Sequence, residues 1–234
     1  MSNNKNIQII APLLANDFVD MEESIFDMDN YSILLEQNSA RLGLFKKYLV
    51  CKLHDSWIIQ INQDNDNLKI ALNDFSTYVF ADTLIEKFNL SIDSDNISFP
   101  LTIELEGDLK VEYNSVNDDG ELEIINPIKL DVYLYEQVIK LDKERVEIVF
   151  HFWKSNLEEN KPGEKIIMIA SAKNLTLIED QDRAWIELFG KEFDSLYKYF
   201  KAQFDSDRYV SDHNECEKII EEYEQMINKR KPTA

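Results

Sequence analysis

Glycine is scarce in this chain, at 5 of 234 residues, about 2% where roughly 7% is usual. The five (Gly43, Gly107, Gly120, Gly163 and Gly190) never come closer than 13 residues. Phosphate-cradling loops need several glycines together, so a P-loop NTPase and a dinucleotide-binding fingerprint are excluded. Cysteine is almost absent too. Cys51 and Cys216 lie far apart and make no disulfide framework, which points to a reduced, cytoplasmic compartment. Three histidines are few for a metal centre. Positive charge is in deficit: 25 Lys and Arg stand against 45 Asp and Glu, a net charge of −20. Nucleic acid and anionic membranes attract basic patches, so neither is expected as a partner. No apolar run approaches the ~18 residues of a membrane span. The first residues lack the charged and apolar regions of a signal peptide.

What the chain does hold is aromatic mass: 13 Phe, 10 Tyr and 3 Trp, with 44% hydrophobic residues overall. That is ample for a packed core and argues against disorder. The acid is unevenly placed. Residues 6–40 hold seven carboxylates and no Lys or Arg. Residues 88–128 hold ten carboxylates and only Lys110. The stretches 41–87 and 129–178 are each neutral. Two readings compete: a solvated, solubilising surface, or a surface for a basic partner.

Period 3.6 marks residues 13–38, through Leu13, Leu14, Phe18, Met21, Ile25 and Met28, as an amphipathic, acidic helical segment. Residues 57–61 and 68–72 predict two strands joined by the turn cluster Asp64-Asn65-Asp66-Asn67. A helix capped by Ser76 follows, with Phe80, Leu84 and Phe88 on one stripe. Leu101, Ile103 and Leu105, then Leu109, Val111 and Tyr113, then Leu122 and Ile124 alternate with polar residues. With turns at Gly107-Asp108 and Asn117–Gly120, this predicts an antiparallel meander. One face is then apolar and the other carries Glu104, Glu106, Glu112, Glu121 and Glu123. Residues 130–141, 145–154, 166–170 and 175–178 predict further strands, the second covered on both faces. From Asp180 a stripe of Trp185, Phe189, Phe193, Leu196, Phe200 and Phe204 predicts a helix. Ser211 or Asp212 caps a last one, Asp212 with Glu215 in capping-box spacing.

Each candidate for chemistry has a plainer reading beside it. His54-Asp55 matches the adjacent pair of metal-dependent phosphohydrolases, but only His151 and His213 remain as further histidines, and ligand number decides metal sites. No metal or cofactor is expected. Asp-x-Asp pairs recur, as at Asp27/Asp29 and Asp64/Asp66, without the oxygen ligand and glycine a calcium loop needs next. Neither cysteine sits in a nucleophile context, and no G-x-S-x-G elbow occurs. His151 among Val149 and Trp153 reads as a core histidine.

The run Leu53-His54-Asp55-Ser56-Trp57-Ile58-Ile59-Gln60-Ile61, followed by Leu68-Lys69-Ile70-Ala71-Leu72, resembles a pattern of uncharacterised bacterial proteins. There a Leu-His-Asp-Ser or Leu-His-Asp-Ala motif precedes a strand that pairs with a second of form L-x-I-x-L. Some of them look like immunity proteins, which are acidic and bind a basic toxin. The resemblance covers about 20 residues and implies no site residues.

The expected fold is α+β: an antiparallel sheet of seven to nine strands, an acidic helical arm over residues 1–40, and a domain over 41–234 closed by two C-terminal helices. The expected function is non-enzymatic binding of a basic protein, such as a toxin, in the bacterial cytoplasm. The partner-binding residues are Glu104, Glu106, Glu112, Glu121 and Glu123, with Asp20, Glu23 and Asp27 of the arm. The alternatives are a hydrolase whose carboxylate and histidine groups are dispersed in sequence, and a structural, oligomerising module.

Overall fold

The computed structural model describes residues 36, 39–48, 52–93, 97–116, 122–126, 129–141, 144–154, 163–205, 210 and 212–230. Helix α1 (Ser39–Leu42) runs into a 3-10 turn (Gly43–Tyr48). Strands β1 (Trp57–Gln63) and β2 (Asn67–Asn73) lead to α2 (Phe75–Phe88). Then come β3 (Pro100–Glu106), β4 (Lys110–Val116), β5 (Leu122–Ile125), β6 (Val132–Leu141), β7 (Val146–Lys154), β8 (Glu164–Ala172) and β9 (Asn174–Glu179). Helices α3 (Gln181–Phe189), α4 (Asp194–Asp205) and α5 (His213–Arg230) close the chain. The fold is α+β with a nine-stranded antiparallel sheet, as the alternation predicts.

The order across the sheet is β5-β4-β8-β7-β6-β1-β2-β3-β9. β3 is eighth in that order and β4 is second, yet residues 107–109 alone join them. Three residues span at most ~11 Å, so the sheet must curl until its ends meet. β8 and β9 repeat the handover across Lys173. Residues 100–116 and 164–179 therefore run as two long paired stretches, bent together at one corner. The seam opposite is thin: Trp57 pairs with Val132, Ile58 N–H donates to Asp131 (2.9 Å) and Tyr133 N–H to Ser56 (2.8 Å).

The predicted meander is corrected at this corner. β3 pairs with β2 and β9, not with β4. Gly107 has φ +82°, and its N–H donates to Asp66 O (2.9 Å) rather than closing a hairpin. A Cβ there would press on the Lys173 side chain at 3.2 Å. The β1–β2 turn forms as expected: Asp64 Oδ1 accepts from the N–H groups of Asp66 and Asn67, both at 2.9 Å.

The curled sheet encloses one core, with Ile70, Leu72, Leu101, Ile103, Leu105, Ile148, Phe150, Phe152 and Met168 fully buried. The helices make a second core around Trp185, which stacks on Tyr197 at 4.4 Å, while Phe80 stacks on Phe200 at 4.1 Å. The aromatic stripe from residue 180 is two helices instead of one. Gly190 at φ +71° ends α3, and a 3-10 turn (Lys191–Phe193) starts the next. α2 begins after Asp74, not Ser76, whose hydroxyl instead donates to Val210 O (2.9 Å). Asn89 in the left-handed conformation ends it. Asp212 Oδ1 accepts from Glu215 N–H (2.9 Å), capping α5 as the spacing predicts.

Candidate functional site

The chemically richest cluster lies where the helices meet the sheet. Asp74 ends β2 and opens α2; Glu179 ends β9; Gln181 opens α3. Lys201 projects from α4 and Tyr48 from the 3-10 turn. Asp74 Oδ2 accepts from Thr77 Oγ1 (2.5 Å) and Gln181 Nε2 (2.6 Å). Lys201 Nζ donates to Gln181 Oε1 (2.8 Å) and to the Tyr48 hydroxyl (3.0 Å). Tyr48 donates in turn to Glu179, which lies 3.6 Å from Lys201 Nζ. Lys201 also sits over the rings of Tyr48 and Phe204.

Burial dominates the titrations here. It raises the Asp74 carboxyl above its usual range, against the opposing pull of Lys201. It raises the Tyr48 phenol, helped by the charges of Asp74 and Glu179. Tyr197 is raised the same way, by burial and then by Asp182 and Asp74. These groups are of the kind that acid–base catalysis uses. Tyr48, Asp74 and Gln181 are each 1% exposed, while the Lys201 and Glu179 side chains are 20% and 26% exposed. The cluster ties β2, β9, α2, α3, α4 and the 3-10 turn into one joint, and its chemistry is that of a tether.

The histidines are scattered. His54 Nδ1 lies 2.9 Å from Asp55 in the turn before β1. His213 Nδ1 meets Thr83 Oγ1 at 2.9 Å on α5. His151 is buried on β7, and burial lowers it to about 3, so it is neutral. Among the described residues no three His, Cys, Asp or Glu side chains converge to hold a metal ion.

The acidic set does not form one face. Glu104 is buried, in an ion pair with Lys69 and accepting from Asn67 Nδ2 (3.3 Å). Lys69 holds its carboxyl below the usual range. Glu106 is exposed beside the corner, where opposite charges gather. Lys173 pairs with Asp108 at 2.7 Å, Arg145 donates to Asp108 O (2.8 Å) and Arg41 to Lys173 O (2.9 Å). Glu112 and Glu123 are exposed on β4 and β5. They stand on opposite faces, because Ile124 pairs with Asn114 and Glu123 with Ser115. That register puts Leu122 and Ile124 beside Glu112, against the expected alternation. Glu121, Asp20, Glu23 and Asp27 lie outside the described residues.

Sequence reasoning missed the tether, because Asp74, Gln181 and Lys201 are far apart in the chain. It also passed over α5, where Glu217, Glu221 and Glu224 are exposed at steps of four and three. That signal was present in the sequence as helical spacing. No protein-family profile matches the chain, no curated protein is significantly similar to it, and no solved structure matches its fold.

Proposed function

We propose that this is a non-enzymatic binding protein that takes a basic protein partner through its acidic surface, in the manner of an immunity or antitoxin protein. The observation that carries the reading is the stripe of Glu217, Glu221 and Glu224 along α5. Like charges at these spacings destabilise a helix by about 0.2–0.5 kcal/mol per pair. Lys87 on α2 approaches Glu221 only at 3.8 Å. A charge pattern that costs the helix stability suits a surface selected for something else. Glu112 and Glu123 on β4 and β5 add exposed carboxylates. Such charge steers encounter and sets specificity more than affinity.

The test uses the full chain as bait in a bacterial lysate, at about 0.1 M and about 0.5 M salt, since salt screens exposed charge. The expected result is a basic protein retained at low salt and lost at high salt. It is also lost with the Glu217→Lys, Glu221→Lys, Glu224→Lys variant. Equal retention under all three conditions would sink the reading.

A further inference from the structure

Three aromatic rings meet at right angles where β1 begins. Trp57 opens that strand and is 39% exposed. Its ring lies 4.8 Å from Tyr78 at 83°, and 5.9 Å from Phe75 at 88°. Phe75 and Tyr78 stand on the first turn of α2, half-buried and packed against the helical core. Aromatic faces are electrically negative, and rings set around one point are how proteins hold organic cations. The chain covers other rings with its own cations. Lys201 lies over Tyr48 and Phe204, and Lys52 over Phe204 at 5.1 Å. Among the described residues, no lysine or arginine takes that place over Trp57.

Charge extends this aromatic cluster in one direction. Residues 75–86 of α2 include Asp82 and Glu86 and no Lys or Arg. Tyr78, Asp82 and Glu86 recur at steps of four and so share one side of the helix. Asp82 is half-buried and Glu86 exposed. His213 Nε2 of α5 lies 3.7 Å from Asp82, and Lys87 lies 3.8 Å from Glu221. The stripe therefore leads from the aromatic cluster to the helix that carries Glu217, Glu221 and Glu224. A basic side chain arriving at Trp57 has carboxylates along its approach. Arginine suits the place better than lysine, because its planar guanidinium stacks on aromatic faces and is more weakly hydrated.

We propose that Trp57, Phe75 and Tyr78 form the anchor site for an arginine side chain of the basic protein partner, whose neighbouring cations lie along Asp82 and Glu86 toward α5. The inference rests on the acidic-surface reading above and adds the apolar centre that carboxylates alone do not supply. Tryptophan, tyrosine and arginine dominate binding at the centres of protein interfaces. The carboxylates steer encounter, and the aromatic cluster holds one residue in place.

The experiment titrates an octapeptide of alternating glycine and arginine into the full chain at about 0.1 M salt and reads binding by calorimetry. A matched peptide carries citrulline, which keeps the shape of arginine without its charge. The arginine peptide is expected to bind, and Trp57→Leu to weaken it about threefold to tenfold, while Trp57→Phe keeps most of the affinity. Equal affinity for the citrulline peptide, or unchanged affinity in Trp57→Leu, would overturn the proposal. A second measurement uses the wild-type chain. The indole N–H resonance of Trp57 is expected to shift on adding the arginine peptide, while that of the fully buried Trp185 stays. A Trp57 resonance that stays fixed would overturn the proposal even where the variants fold poorly. Weakening by Glu217→Lys, Glu221→Lys, Glu224→Lys with none by Trp57→Leu refutes the anchor and leaves the acidic surface standing. No binding of the arginine peptide at all refutes both.

Discussion

The β3–β9 ladder carries a charged network at each end, and the two could hardly be more different. At the Pro100 and Glu179 end, Asp74, Gln181, Tyr48 and Lys201 are linked in a desolvated joint. At the Glu106 and Asn174 end, Asp108, Lys173 and Arg145 meet in water around Gly107. Both contain ion-paired lysines and short hydrogen bonds. Burial is what separates them: in the joint each unmet group would bear its full desolvation cost, whereas at the corner water replaces any partner that leaves. A list of salt bridges would rank the two as equals, and the surroundings reverse that ranking.

The largest expected effect is at the buried end. Asp74→Ala takes their buried acceptor from Thr77 Oγ1 and Gln181 Nε2 and should cost about 1–3 kcal/mol for each donor left unpaired, read by denaturant unfolding. Asp74→Asn should cost clearly less, because burial already favours the neutral carboxyl. A folded-state value raised above the unfolded one contributes stability that is full below the unfolded value and is lost as pH rises through the folded value. Asp74→Asn should therefore remove that pH dependence, seen as a flatter stability profile.

His151 runs the opposite way. Its folded value is lowered from 6.5 to about 3, so its contribution is full above pH 6.5 and is lost as pH falls toward 3. The slope is at most about 1.4 kcal/mol per pH unit. The stability difference between wild type and His151→Gln should shrink as pH is lowered across that window.

At the wet corner the effects are smaller. Gly107→Ala forces a side chain into a left-handed backbone already pressed against Lys173, and should cost about 1–2 kcal/mol. Asp108→Ala should barely move the midpoint, with any shift vanishing in salt. A large Asp108→Ala effect would break the contrast between the two ends.

Much of this architecture was legible in the sequence. Alternation marked the strands, the Asp64 turn and the Asp212 cap fell where their chemistry requires, and period 3.6 placed the helical end. What misled was the Gly107-Asp108 corner. Locally it is a hairpin signal, and only the non-local pairing of β3 with β2 and β9 shows that the chain leaves the layer there. The same limit hid the faces of the acid. Alternation says which residues share a side of one strand, but register decides how neighbouring strands line up, and Asn114 opposite Ile124 put Glu112 and Glu123 on different sides. The tether was illegible for a simpler reason: Tyr48, Asp74, Glu179, Gln181 and Lys201 come from four separate stretches of chain that only the fold brings together.

The most direct test of the contrast is residue-resolved hydrogen exchange on full-length Asp74→Ala. If the buried joint holds the helices on the sheet, protection should fall across α2, α3 and α4, while the β7–β8 ladder keeps its wild-type protection. An even loss throughout the molecule, or no loss in the helices, would contradict it.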